Sequence, residues 1–282
     1  IRYYKVTGVQ TCALPIFFVL GMLLLMAILL GSLLLAWSWG QKSSLVDGGK
    51  NMTFSEILTV AGIEWGAFIV LFFSQWSRLP TFQESPRLEK GESPKVSQLP
   101  VVLVPSLHLG SGIFRVLMWR LKSHYFQSIW PFSWKSFLHQ NTLLEDQLHR
   151  FVLECLERTG SNAITIVSFG SSRPLVSRVL NRPDLSDKQI RWICVSGPKE
   201  SSDVYRFLST PRLRKAFEQK TYLEPDVLIV GKNDTVCYPS SIFEESALVI
   251  PEVGHYGCLL HSTTVQKILD ELSSPKVRKQ LQ

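Results

Sequence analysis

The chain has 282 residues, 45% of them hydrophobic, and a net charge of +7 from 30 basic and 23 acidic side chains. That length holds one sizeable domain plus additional segments. The positive charge is spread along the chain, and without a zinc finger, a basic helix or an aromatic RNA-binding motif it excludes nucleic acid as an expected partner; beside a membrane, a mildly basic protein meets anionic lipid.

The segment VTGVQTCALPI, Val6 to Ile16, resembles a translated sequencing-adapter read-through. Residues 1–16 are therefore expected to be foreign to the protein, and Cys12 with them. From Ala13 to Trp39 there is no charged residue. A helix needs about 20 apolar residues to cross a bilayer, so a transmembrane helix is expected here. The run is too long for a signal-peptide core, and no small-residue cleavage site follows Trp39.

A second hydrophobic segment, Ile57 to Phe73, carries a single charge, Glu64. It reads either as a second spanning helix that forms a hairpin with the first and sets Glu64 near the bilayer midplane, or as an interfacial helix. Trp65 and Trp76 suit interfacial belts and favour the hairpin. Residues 17–76 are thus expected to form a membrane anchor of one or two helices. Arg78, Arg87, Lys90 and Lys95 follow it, which by the positive-inside tendency sets the rest of the chain in the cytoplasm. Residues 77–99, with Pro80, Pro86 and Pro94, read as an extended linker.

Residues 100–282 have a different pattern. PVVLVPS from Pro100 is a buried strand, Gly112–His124 a helix, and Phe126–Trp130 a candidate short strand. Thr142–Arg158 has apolar residues at helical spacing. AITIVSF is a strand and Ser172–Leu180 a helix. IRWICVS, DVLIVGK and ALVIPEV are strands, and Thr263–Leu272 is a closing helix. Strands alternating with helices predict an α/β fold with a doubly wound, mostly parallel sheet. Cys155 and Cys194 lie in apolar runs and read as small core residues. No cysteine spacing fits a zinc site or a disulfide framework, and nothing points to a cofactor.

In open α/β sheets ligands bind beyond the carboxyl ends of the strands. After AITIVSF comes Gly170-Ser171-Ser172-Arg173, opening a helix. DVLIVGK runs into Asn233-Asp234, and ALVIPEV into Gly254-His255-Tyr256-Gly257. Each alone is ordinary: Asn-Asp after a strand is common turn chemistry, and a lone histidine is more often structural. Together they resemble the α/β-hydrolase superfamily, closest to bacterial lipase- and esterase-like members with N-terminal membrane helices. In that family a nucleophile elbow, G-x-S-x-G, is followed in chain order by an acid and a histidine. The resemblance covers about Pro100 to Leu272. It implies Asp234 as the acid and His255 as the base.

Two departures accompany it. Ser168-Phe169-Gly170-Ser171-Ser172 stands where the elbow motif belongs, so Gly170 occupies the nucleophile position: the strained turn is kept and the hydroxyl is lost. Pro105-Ser106-Leu107-His108 stands where lipase-like members have H-G, although backbone N–H donors of the oxyanion type remain available at Leu107 and Ser171. The resemblance therefore implies a membrane-anchored pseudohydrolase that binds a membrane lipid, an acyl or ester ligand or a protein partner. The alternatives are an active esterase with its nucleophile shifted to Ser171, and a structural membrane protein. Lys199–Leu223, basic and interleaved with apolar residues, falls where relatives carry a lid.

Overall fold

The computed structural model describes residues 53–76, 99–107, 109–134, 141–198, 223–234 and 247–273. The segment Ala13–Trp39, nearly all of the linker, His108 and the basic segment from Lys199 to Tyr222 lie outside the described residues.

The chain divides into two compact units at Gly62 and Ile63. Of the first, the described part is the opening of helix α1, Phe54–Trp76. Thr53 and Glu56 cap it reciprocally. Glu56 Oε2 accepts from the Thr53 N–H at 2.7 Å, and Thr53 Oγ1 accepts from the Glu56 N–H at 3.3 Å. This is a capping box, which satisfies donors that a helix start leaves open. Residues Phe54–Leu71 of α1 are long and apolar enough to cross a membrane.

The second unit is built on a six-stranded, wholly parallel sheet with the order β2-β1-β3-β4-β5-β6. The strands are β1, Val101–Val104; β2, Ile129–Pro131; β3, Ala163–Phe169; β4, Gln189–Val195; β5, Val227–Gly231; and β6, Ala247–Ile250. Between them run α2, Arg115–Ser123, α3, Asn141–Thr159, and α4, Arg173–Leu180; α5, His255–Leu260, and α6, Ser262–Ser273, close the unit.

Period-two alternation sends neighbouring residues of each strand to opposite faces. Val101, Leu103, Val167, Phe169, Ile193 and Val195 join one core with residues of α2, α5 and α6. Val102, Val104, Ile164, Ile166, Trp192 and Cys194 join the other with residues of α3 and α4. Strands buried on both faces read as continuous apolar runs, which is why VVLV, AITIV and VLIV stand out in the sequence. Cys155 and Cys194 are buried in the second core, and burial pushes the Cys155 thiol far up from its ordinary value.

Several boundaries differ from the sequence expectation for local reasons. β2 covers Ile129–Pro131 rather than Phe126–Trp130. It is an edge strand, where a proline is tolerated because one side of the ladder is open. β6 ends at Ile250, because Pro251 cannot donate to the ladder and Glu252 turns the chain at φ 61°. α5 is an additional helix, carrying His255 at its first residue.

Candidate functional site

The carboxyl ends of β1, β3, β5 and β6 converge on one cluster. After β3 the chain turns at Gly170, whose φ is 62°. Glycine takes this left-handed geometry without strain. The turn is tight, and Ser168 and Ser172 beside it are small and engaged. The Trp192 indole N–H donates to Ser168 Oγ at 2.8 Å, and Ser172 Oγ donates to the Phe169 carbonyl at 2.9 Å. A 3-10 turn over Gly170–Ser172 leads into α4, with Pro174 in its first turn.

The loops after β5 and β6 bring Asp234 and His255 together. His255 Nδ1 lies 3.0 and 3.1 Å from the two carboxylate oxygens of Asp234, and both residues are buried. The loops are tied by backbone bonds: the Lys232 N–H donates to the Ile250 carbonyl, and the Asn233 N–H to the Val253 carbonyl. Gly231 permits this approach, since a Cβ there would lie 2.4 Å from the Val253 carbonyl oxygen. The ring of His255 rests 5.0 Å from that of Phe169, the last residue of β3. With Nδ1 held by Asp234, Nε2 faces the elbow. A Cβ built on Gly170 would lie 3.3 Å from His255 Nε2.

Burial disfavours the imidazolium of His255, but the Asp234 carboxylate outweighs it through charge and hydrogen bonding, aided by the Glu64 charge, and the His255 pKa is held above its ordinary value. Burial also pushes the Cys258 thiol up to about 12 and raises the Tyr256 hydroxyl. The histidine shift fixes a sign. A group whose folded pKa exceeds its unfolded value, about 6.5 for histidine, stabilises the fold fully below that pH and loses the contribution as pH rises through the folded pKa. Raising the pH from about 6 to about 9 is therefore expected to destabilise the native chain more than an Asp234→Asn variant, in which only the Glu64 charge still opposes burial at the histidine. Thermal unfolding in detergent across that range checks it; parallel slopes for the two proteins would refute it.

Ser106, after β1, completes the cluster. Its Oγ would lie 3.0 Å from a Cβ on Gly170, so it stands beside the place a side chain at residue 170 would take. It also lies 2.6 Å from Ser171 Oγ and accepts from the Ser171 N–H at 3.3 Å. Ser171 Oγ in turn accepts from the Leu107 N–H at 3.0 Å. The two backbone donors singled out from the sequence, at Leu107 and Ser171, are thus brought to one place and each points at a serine hydroxyl of the chain itself. The hydroxyl of Ser171 is turned to Ser106 and Leu107. The fold is a six-stranded parallel α/β sheet with this cluster at its carboxyl edge, the order of parts that α/β-hydrolase folds have. Its parallel sheet, its left-handed elbow after β3, and its acid and histidine after β5 and β6 stand in that fold's order.

No family model matches the chain, and no curated protein matches it. Several solved structures are similar to it. The lin2722 gene product of Listeria innocua is 14% identical, with a TM-score of 0.48, over 63% of this chain and 95% of that one. Aspergillus fumigatus lipase B is 15% identical, with a TM-score of 0.49, over 62% of this chain and 52% of that one. The carboxylesterase CesB of Bacillus subtilis is 11% identical, with a TM-score of 0.43, over 75% of this chain and 97% of that one.

Sequence reasoning passed over two residues of the site. Ser106 was visible only as a departure from H-G, and nothing local announces that its hydroxyl reaches the turn 65 positions later. Glu64 showed a signal, the lone charge of the apolar run Ile57–Phe73, but its destination in the His255 turn lies 190 positions away.

Proposed function

We propose that this chain is a membrane-anchored pseudohydrolase, with an α/β-hydrolase site retained for binding an acyl-bearing ligand rather than for acyl transfer. One observation carries the reading: the elbow residue facing His255 Nε2 is a glycine, and Ser106 Oγ sits beside the space that the nucleophile's side chain would take. Acyl transfer needs a hydroxyl in line with the base and free donors for the oxyanion. Here the base and its acid are present, while the Leu107 and Ser171 N–H groups donate to serine hydroxyls. The anchor rests on the uncharged run Ala13–Trp39.

Fluorophosphonate labelling of the full chain in detergent, with peptide mapping, tests the loss of acyl transfer. No adduct above the level of a His255→Ala variant is expected. A stoichiometric adduct on Ser171 that disappears in Ser171→Ala and in His255→Ala would establish a shifted nucleophile and overturn the reading. A photoreactive fatty acid tests the binding role; crosslinks to Leu107 or Tyr256 are expected, and their absence on folded protein would remove it.

A further inference from the structure

α1 is apolar along its middle except for Glu64, and that carboxylate meets the backbone of the turn presenting His255. Glu64 Oε1 accepts from the N–H groups of Gly254 and Gly257, at 2.9 and 2.8 Å, and Oε2 accepts from that of Tyr256 at 2.8 Å. These three donors flank His255 on both sides. The glycines of G-H-Y-G are shaped to the carboxylate. A Cβ on Gly254 would come within 2.7 Å of Glu64 Cδ, and one on Gly257 within 2.5 Å of Oε1. One turn further along α1, Phe68 meets Tyr256 edge-on at 5.4 Å, and the Tyr256 ring stands against that of His255 at 5.1 Å.

We propose that Glu64 is a positioning residue: it clamps the backbone of Gly254, Tyr256 and Gly257 and so holds the His255 ring between Asp234 and the elbow, which makes α1 a part of the site and not a membrane span. A half-buried carboxylate is stable where charged hydrogen bonds replace water. In a lipid-facing helix the same carboxylate would sit in hydrocarbon, and the turn would lose its acceptor. The inference rests on the reading of the Asp234–His255 pair as a retained site, but its readouts are independent of acyl transfer and of ligand capture.

The test uses the full chain in detergent micelles, by amide hydrogen exchange and NMR of the histidine rings. Among the described residues, the charged and titratable groups around His255 are Asp234 after β5, Glu64 on α1, and Tyr256 and Cys258 on its own helix. Glu64→Ala is expected to speed exchange at Gly254, Tyr256 and Gly257 by about tenfold or more, as loss of charged hydrogen bonds predicts, and to lower the titration midpoint of His255. Glu64→Gln keeps acceptor oxygen without charge; it is expected to preserve most of the protection while still lowering the midpoint. Gly257→Ala is expected to destabilise the chain when Glu64 is present and to be better tolerated together with Glu64→Ala, because the clash is with the carboxylate itself. Faster exchange with an unchanged His255 titration in both Glu64 variants would reduce Glu64 to a packing role and overturn the proposal. Equal damage from Gly257→Ala with and without Glu64 would overturn it too.

Discussion

A Gly170→Ser, Ser106→Gly double variant is expected to label stoichiometrically with a fluorophosphonate where the native chain does not, and to lose that labelling when His255→Ala is added. The backbone at residue 170 already has the left-handed φ of a nucleophile elbow, and a Cβ added there would lie 3.3 Å from His255 Nε2. The serine hydroxyl is then the one group missing from the line of acid, base and nucleophile. Gly170→Ser alone is crowded, because its Cβ would lie 3.0 and 3.1 Å from Oγ and Cβ of Ser106. Ser106→Gly removes both contacts and frees the Ser171 N–H, which now donates to Ser106 Oγ. A positioned general base contributes about 10²–10⁴-fold, so labelling should rise at least about 10²-fold above the His255→Ala background. Adding Ser171→Ala frees the Leu107 N–H as well; one oxyanion donor is worth about 10²-fold or more, so esterase turnover should rise again. If the double variant folds and stays unlabelled, the Asp234–His255 pair is not competent as a base, and its retention needs another explanation.

The sheet was legible in the sequence for a simple reason. Strands buried on both faces leave largely apolar runs, and β1, β3 and β5 each coincide with one; β4 carries Arg191 within its run, paired with Glu271 of α6. The acid and histidine were legible by order and by their place after strands. What was hidden is what distant loops do to one another. Asp234 and His255 are brought together partly because Gly231 lets the Val253 carbonyl approach, and in the sequence Gly231 reads as the end of a strand and nothing more. Gly254 and Gly257 read as a loose loop but begin a helix whose first amides face Glu64. The lone charge of the apolar run Ile57–Phe73, Glu64, pointed towards lipid by composition, whereas its oxygens meet backbone donors of the His255 turn, a partner that no periodicity can reveal. Ser106 is the sharpest case, since nothing near it in the sequence signals that its hydroxyl stands beside the place a side chain at residue 170 would take.

The elbow also depends on the strand beneath it, and the largest stability effect is expected at Trp192. This residue lies in β4, fully buried in the second core. Its N–H is accepted by Asp226 Oδ2 and its indole N–H by Ser168 Oγ, each at 2.8 Å. Trp192→Ala should cost about 3–5 kcal/mol, combining lost burial with a cavity. Against a typical total of about 5–15 kcal/mol that is enough to leave much of the chain unfolded. Trp192→Phe keeps most of the apolar area but withdraws a donor from the buried Ser168 hydroxyl, which should cost about 1–3 kcal/mol. Adding Ser168→Ala to Trp192→Phe removes both partners of that bond, and urea unfolding should then show part of the loss recovered, because an apolar pair leaves nothing unsatisfied. If the double variant is instead less stable by the sum of the two single effects, the bond contributes nothing of its own, and volume alone accounts for Trp192.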